Sequence, residues 1–250
     1  MSDDRPDVAG AGMSRAMRQL WGRREDGRRG PKPAMSVRAI AVEAVALADA
    51  EGLDAVTMAA LASRLGFTTM SLYRYVESRQ DLLEVMVDEA VGPPPTLNRR
   101  RGWRGQIEEW AGAEAAQFFA HPWVFAVQTG APPVGPNLVG WMEAGFAALN
   151  RTRLGPQEVA SSLLTVDGYV RSNVQLALQF AVPGAAERWA TQLRSVLDPD
   201  AMPTVRIVLD SGALEDGSVS TEPEESAEFG FGLGLVLDGI ERIAARTQRH

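Results

Sequence analysis

Apolar and polar positions recur at three- and four-residue spacing almost throughout the chain, and no segment alternates for long enough to suggest a strand. The pattern predicts an all-α fold. Over residues 36–50, Ile40, Ala44, Leu47 and Ala48 give a helix one core face, with Ser36 as its cap. Residues 56–83 then read as two short helices joined by a tight turn, with a third following at once. Thr57 caps the first, which turns Leu61, Ala62 and Leu65 inward. Gly66 ends it, because the residue past a helix end often needs positive φ. Thr68 or Thr69 caps the second, whose Leu72 and Val76 face the core. Its other face carries Met70, Ser71, Tyr73 and Arg74, a mixture of hydroxyls, an aromatic and a cation. A helix lying in a DNA major groove needs that mixture, to touch phosphates and base edges together. From Ser78 the third helix runs through Leu82, Leu83, Val85 and Met86 to the stop at Gly92-Pro93-Pro94-Pro95, with Arg79 and Asp81 in its first turn.

The helical spacing continues beyond the prolines. Trp103, Ile107, Trp110, Ala111, Glu114 and Phe118 share one helix face, and Glu143 and Phe146 lie on another helix between Pro136 and Gly155-Pro156. Residues 159–181 form a long helix, apolar nearly all round through Leu163, Leu164, Val170, Val174, Leu176, Leu178 and Phe180. Such a helix must be covered on more than one side. Residues 198–225 are polar and rich in Pro and Gly, which predicts a long loop, and a last helix spans residues 226–246. Residues 1–35 lack helical periodicity, and within 13–35 Arg15, Arg18, Arg23, Arg24, Arg28, Arg29 and Lys32 outnumber Glu25 and Asp26. Two readings stand for this flexible basic arm. It reaches a minor groove beside the reading helix, or it is a solvated leader giving only diffuse attraction.

Several of these features, taken in register, resemble the DNA-binding segment of tetracycline-repressor (TetR) family transcriptional regulators. The matching residues are the apolar helix over 36–50, Glu51-Gly52-Leu53, Leu61-Ala62, Leu65-Gly66, Ser71-Leu72-Tyr73-Arg74-Tyr75 and Leu82-Leu83. Arg79 departs from a usual lysine, which keeps the charge and changes the donor geometry, and Val76 replaces a frequent phenylalanine. The resemblance implies a three-helix helix-turn-helix domain at residues 36–92, with its motif at 57–76, and a helical ligand-binding and dimerisation domain at 93–250. It carries DNA contact onto Thr57, Thr69, Ser71, Tyr73, Arg74, Tyr75 and Arg79, with Met70 facing the groove beside them. Phe229-Gly230-Phe231-Gly232-Leu233 and Leu237-Asp238-Gly239-Ile240 resemble the final helix of one tetracycline-repressor-like ligand domain. In that group this helix and the long one pair with their copies in a second subunit. Gly230, Gly232 and Gly234 are then expected to let helices approach closely at the dimer seam, with ordinary packing within the chain as the alternative, and not to hold a dinucleotide, since no strand precedes them.

The net charge of −7 changes meaning once divided. Residues 1–81 carry 12 basic and 11 acidic side chains, and residues 82–250 carry 13 and 21. A near-neutral head on an acidic body suits sequence-selective binding better than indiscriminate attraction to phosphate. The absence of cysteine excludes disulfides, thiolate metal sites and cysteine nucleophiles. No apolar run approaches the roughly 18 residues of a membrane span. The first residues lack the apolar stretch of a signal peptide, so a cytoplasmic protein without membrane partners is expected.

Enzymatic chemistry finds little support. His121 and His250 are the only histidines, and there is no nucleophile elbow, phosphate loop or paired-histidine metal motif. No catalytic residue, metal or cofactor is expected, and Glu108, Glu109 and Glu114 read as solvated helix-surface carboxylates. The aromatic residues of the second domain instead suggest a pocket between helices, with Trp110, Phe118, His121, Trp141, Phe146 and Asn173 as lining candidates. The alternative is that they fill the core. The reading is therefore a homodimeric regulator, a repressor of a palindromic operator, released when a small hydrophobic or aromatic effector binds. Its competitor is a DNA-binding architectural protein of the same fold without ligand control.

Overall fold

The computed structural model describes residues 13–22, 35–128, 134–213 and 227–247. Among them regular structure is helical and no strand occurs. The chain divides into two compact units, residues 1–96 with 120–144, and residues 97–119 with 145–250.

The first unit is built on α2 (Val37–Glu51), α3 (Met58–Leu65), α4 (Thr69–Leu72) and α5 (Arg79–Val91). Ser36 Oγ accepts from the Ala39 amide at 3.1 Å, so α2 starts at a side-chain cap. Ile40, Ala41, Ala44, Leu47 and Ala48 are buried against α3 and α5. Ser78 caps α5 in the same way, accepting from Asp81 at 3.0 Å, and Gly92 closes it at φ 65°. Beyond the proline run, a 3₁₀ turn at Pro122–Ala126 and the start of α7 (Pro136–Leu149) belong to this unit. Buried Asp88 of α5 accepts from the Leu138 amide at 3.0 Å and from Asn137 at 3.4 Å, tying α7 down at its first turn.

One expectation fails here. Residues Arg15–Leu20 form α1, capped by Ser14, with Ala16 and Met17 buried and the helix packed on α2 and α5. An arm without helical structure over residues 1–35 is therefore wrong for this stretch. Two buried side chains in six residues are too few to read as periodicity, yet enough to dock a short helix. The Arg28-to-Pro33 run lies outside the described residues.

The second unit holds α6 (Trp103–Ala120), α8 (Pro156–Phe180), α9 (Ala185–Val196), α10 (Pro203–Asp210), α11 (Ala227–Thr247) and the end of α7. α8 and α11 pack together through Val166, Val170, Val174, Phe229, Leu233 and Leu237, all buried. The long loop expected over 198–225 is interrupted by α10. Its Pro203 stands at the first helical position, where a missing N–H costs nothing, and its Leu209 is buried. α8 was expected to be apolar nearly all round, and its outer side does expose Leu164 and Leu176.

Candidate nucleic-acid interface and ligand domain

The reading segment is set by local chemistry. Thr57 Oγ1 accepts from the Ala60 amide at 3.1 Å and starts α3. Gly66 ends α3 in the left-handed region at φ 72°, and the Phe67 amide reaches back to the Ala62 carbonyl at 2.9 Å. Thr68, the first of the two predicted caps, accepts from Ser71 at 3.3 Å and meets the Ser71 hydroxyl at 2.9 Å. α4 closes into turns, with the amides of Tyr75 and Val76 both donating to the Leu72 carbonyl. Leu72 and Val76 are fully buried, which fixes the rotation of the segment and turns the opposite side to solvent.

That solvent side presents the groove candidates. Met70 is 74% exposed and Tyr73 45%. Thr57 and Arg74 are exposed, and Thr69, Ser71 and Tyr75 are half-buried. The Arg74 amide donates to the Ser71 carbonyl, but among the described residues its guanidinium has no hydrogen-bond or ion-pair partner, so its five donors are free for a ligand. Arg64, on α3, is committed to Glu43 and Glu51 of α2, and Arg38 to Glu89. Arg79 is exposed but donates to the Val56 carbonyl at 2.7 Å. It is a clamp within the head as well as a cation, a role that residue type alone did not reveal.

The ligand-domain candidates separate. His121 Nδ1 lies 2.8 Å from Asp49 Oδ1, to which the Trp123 indole also donates at 2.7 Å. Trp141 donates to the Gly92 carbonyl at 3.0 Å. These groups are anchored inside the first unit. Trp110 and Phe118 are buried in the second unit, where Phe146 and Asn173 are half-buried. Glu114, on the same α6 face between Trp110 and Phe118, is also buried, against the expectation of a solvated carboxylate. Its position between two aromatics one turn away on either side was the available signal. On α11, Gly232 is close-packed by Tyr169 of α8, whose hydroxyl donates to the Phe229 carbonyl at 2.8 Å. That glycine serves packing within the chain, whereas a side chain at Gly230 or Gly239 would meet nothing.

Comparison with known proteins agrees with this arrangement. Residues 40–86 match the bacterial regulatory proteins of the tetR family, and residues 93–244 match the tetracyclin repressor-like C-terminal domain. The HTH-type transcriptional repressor DrrR1 of Streptomyces coeruleorubidus is 34% identical over 97% of this chain and 91% of its own length. An HTH-type transcriptional regulator of Saccharopolyspora erythraea is 30% identical over 62% of this chain and 66% of its own. Among solved structures, ActR of Streptomyces coelicolor in complex with actinorhodin superposes with a TM-score of 0.66 at 27% identity, covering 82% of this chain and 96% of that one. With both of its domains matched and a full-length repressor as relative, the chain belongs to the TetR family of DNA-binding transcriptional regulators.

Proposed function

We propose that this regulator represses as a cytoplasmic homodimer whose two heads read a palindromic operator, and that a small organic effector in the C-terminal domain releases it. The observation that carries the DNA reading is the solvent side of residues 69–75, where Met70, Tyr73 and an unpartnered Arg74 stand over the buried Leu72 and Val76. Arg74 reads a base through its fork. Thr57, Thr69, Ser71, Tyr73, Tyr75 and Arg79 hold phosphates and set register.

The dimer is supported by apolar side chains left uncovered on α8 and α11. Leu164, Leu176, Phe231, Leu235 and Ile243 are 71, 53, 72, 59 and 46% exposed, and a Cβ at Gly168, Gly230 or Gly239 on the same helices would meet nothing. Large apolar side chains exposed in that number on two packed helices are consistent with an interaction site. A two-fold seam there pairs the heads, with half-site centres about 34–36 Å apart or a multiple of that. No helix among the described residues is long and apolar enough to cross a membrane.

The effector is supported by the aromatic interior of the second unit, with Trp110, Phe118, Phe146 and Asn173 as lining, and by ActR, seen with actinorhodin and with (S)-DNPA. Genomic fragments selected by the protein supply the operator, and sedimentation gives its stoichiometry. Actinorhodin is the first ligand to try. An effector must weaken operator binding by the factor by which operator weakens effector binding. A monomer that binds DNA tightly would sink the dimer, and equal operator affinity at saturating effector would leave the architectural alternative.

A further inference from the structure

Glu114 lies on α6 one turn from Trp110 and one turn from Phe118, and the three residues are 7, 3 and 1% exposed. α8 faces it with Asp167 and Arg171. The Arg171 Nε donates to both oxygens of Asp167, at 2.9 and 3.0 Å, and its guanidinium stacks 4.6 Å from the centre of the Phe118 ring. That arginine is thus engaged by Asp167 and Phe118. Among the described residues, Oε2 of Glu114 has no hydrogen-bond partner. A buried carboxyl oxygen in that state has given up water and received no donor in return, which native structures seldom leave unexplained.

The surroundings define what is missing. Burial, then the charge of Asp167 and the hydrogen bond shared with it, hold the Glu114 carboxyl well above the usual carboxylate range, against the pull of Arg171. With both carboxylates ionised, the cluster of Glu114, Asp167 and Arg171 is one positive charge short. Once Glu114 is ionised, the orphaned oxygen can only accept, so a partner that holds it in that state must bring an N–H or O–H. A protonated amine meets both needs. A hydroxyl meets only the hydrogen bond, and a carboxylate adds a third negative charge out of water.

We propose that Glu114 is the polar anchor of the effector site and takes the protonated amine of a ligand with an apolar or aromatic body. The inference rests on the second unit being the effector domain, and adds the chemical class of the ligand. On docking, the ammonium keeps its proton and donates to Oε2, and Glu114 releases its own proton to solvent. Trp110 and Phe118 flank the ligand body.

Three probes of one shape and different charge test this: naphthylmethylamine, naphthylmethanol and naphthoic acid. Tryptophan quenching gives their affinities, and calorimetry in two buffers of different ionisation enthalpy counts protons. The amine should bind at least about tenfold tighter than the alcohol, with proton release, and the acid weakest. Glu114→Gln should bring amine and alcohol level and abolish the release. Should that variant fail to fold, proton release by the wild type still decides. Equal binding of acid and amine, a preference surviving in Glu114→Gln, or no binding of any probe overturns the anchor. Operator release is scored separately. An amine that binds through Glu114 without freeing operator leaves the anchor and removes ligand control. A neutral or acidic effector that frees operator equally from wild type and Glu114→Gln does the reverse.

Discussion

Arg79 and Val56 are joined by a 2.7 Å hydrogen bond, the guanidinium at the start of α5 donating to the carbonyl just ahead of the Thr57 cap. A fork of five donors can hold that carbonyl and still offer N–H groups outward, which a lysine at the same place does less well. Arg79→Ala should therefore act twice. It should weaken all DNA sequences alike and lower the salt slope by about 1, and it should cost about 0.5–1.5 kcal/mol of head stability. Arg79→Lys should recover more of the salt slope than of the stability. Anisotropy titrations at several salt concentrations and thermal melts separate the two, and a loss confined to one operator base would show that Arg79 reads sequence instead.

Arg74 should behave differently, because nothing among the described residues engages its guanidinium. Arg74→Ala should leave the melt unchanged, cost about 1–3 kcal/mol of operator binding and relax preference at one position. Shift assays on operator variants check this. Intact affinity together with intact base preference would remove Arg74 from the readout.

Much of the head was legible because its boundaries are made by near neighbours in sequence. Ser36, Thr57, Thr68 and Ser78 each accept from an amide three residues on, and Gly66 carries the left-handed turn, so cap and stop could be read locally. What stayed hidden depends on partners far along the chain. Glu114 looked solvated until α8 brought Asp167 against it, and His121 gave no sign that Asp49 of α2 would hold it. α1 stays hidden because its burial rests on only Ala16 and Met17, and α10 because its Pro203 starts a helix inside a stretch whose polar, Pro- and Gly-rich composition predicts a loop. The exposed apolar residues on α8 and α11 are half legible. The sequence showed an excess of apolar residues, but not which of them stay uncovered within one chain.

That distinction makes the seam testable on a single helix. Leu235 and Leu237 of α11 are two residues apart, yet 59% and 0% exposed. Leu235→Asp should fold normally, sediment as a monomer and lose the operator. Leu237→Asp should not fold stably, because it buries an unpaired charge within the chain. Leu164 and Val174 of α8 form a second such pair, at 71% and 0%. A Leu235→Asp protein that sediments like wild type would place the dimer contact elsewhere.

Asp88 holds the first turn of α7 within the first unit, and its titration gives a signed test. Its carboxylate accepts from the Leu138 and Asn137 amides, while the Asn137 side chain donates to the Asp88 carbonyl at 2.9 Å. Burial raises the carboxyl above the ordinary 3.8, and the two amides only partly offset it. A folded-state value above the unfolded one means that the unfolded chain loses its proton first. The stability owed to this residue is then complete below about pH 4 and declines as pH rises through the raised folded value. Asp88→Asn removes the titration and keeps an acceptor, so wild-type stability minus variant stability should fall across that window and be flat above it. Asp88→Ala leaves two amides without their acceptor and should cost about 1–3 kcal/mol. Gly135→Ala should resemble it, because a Cβ there collides with the Asp88 side chain. Chemical denaturation from pH 4 to 8 measures the difference, and a difference that rises with pH would mean that the two amides outweigh burial.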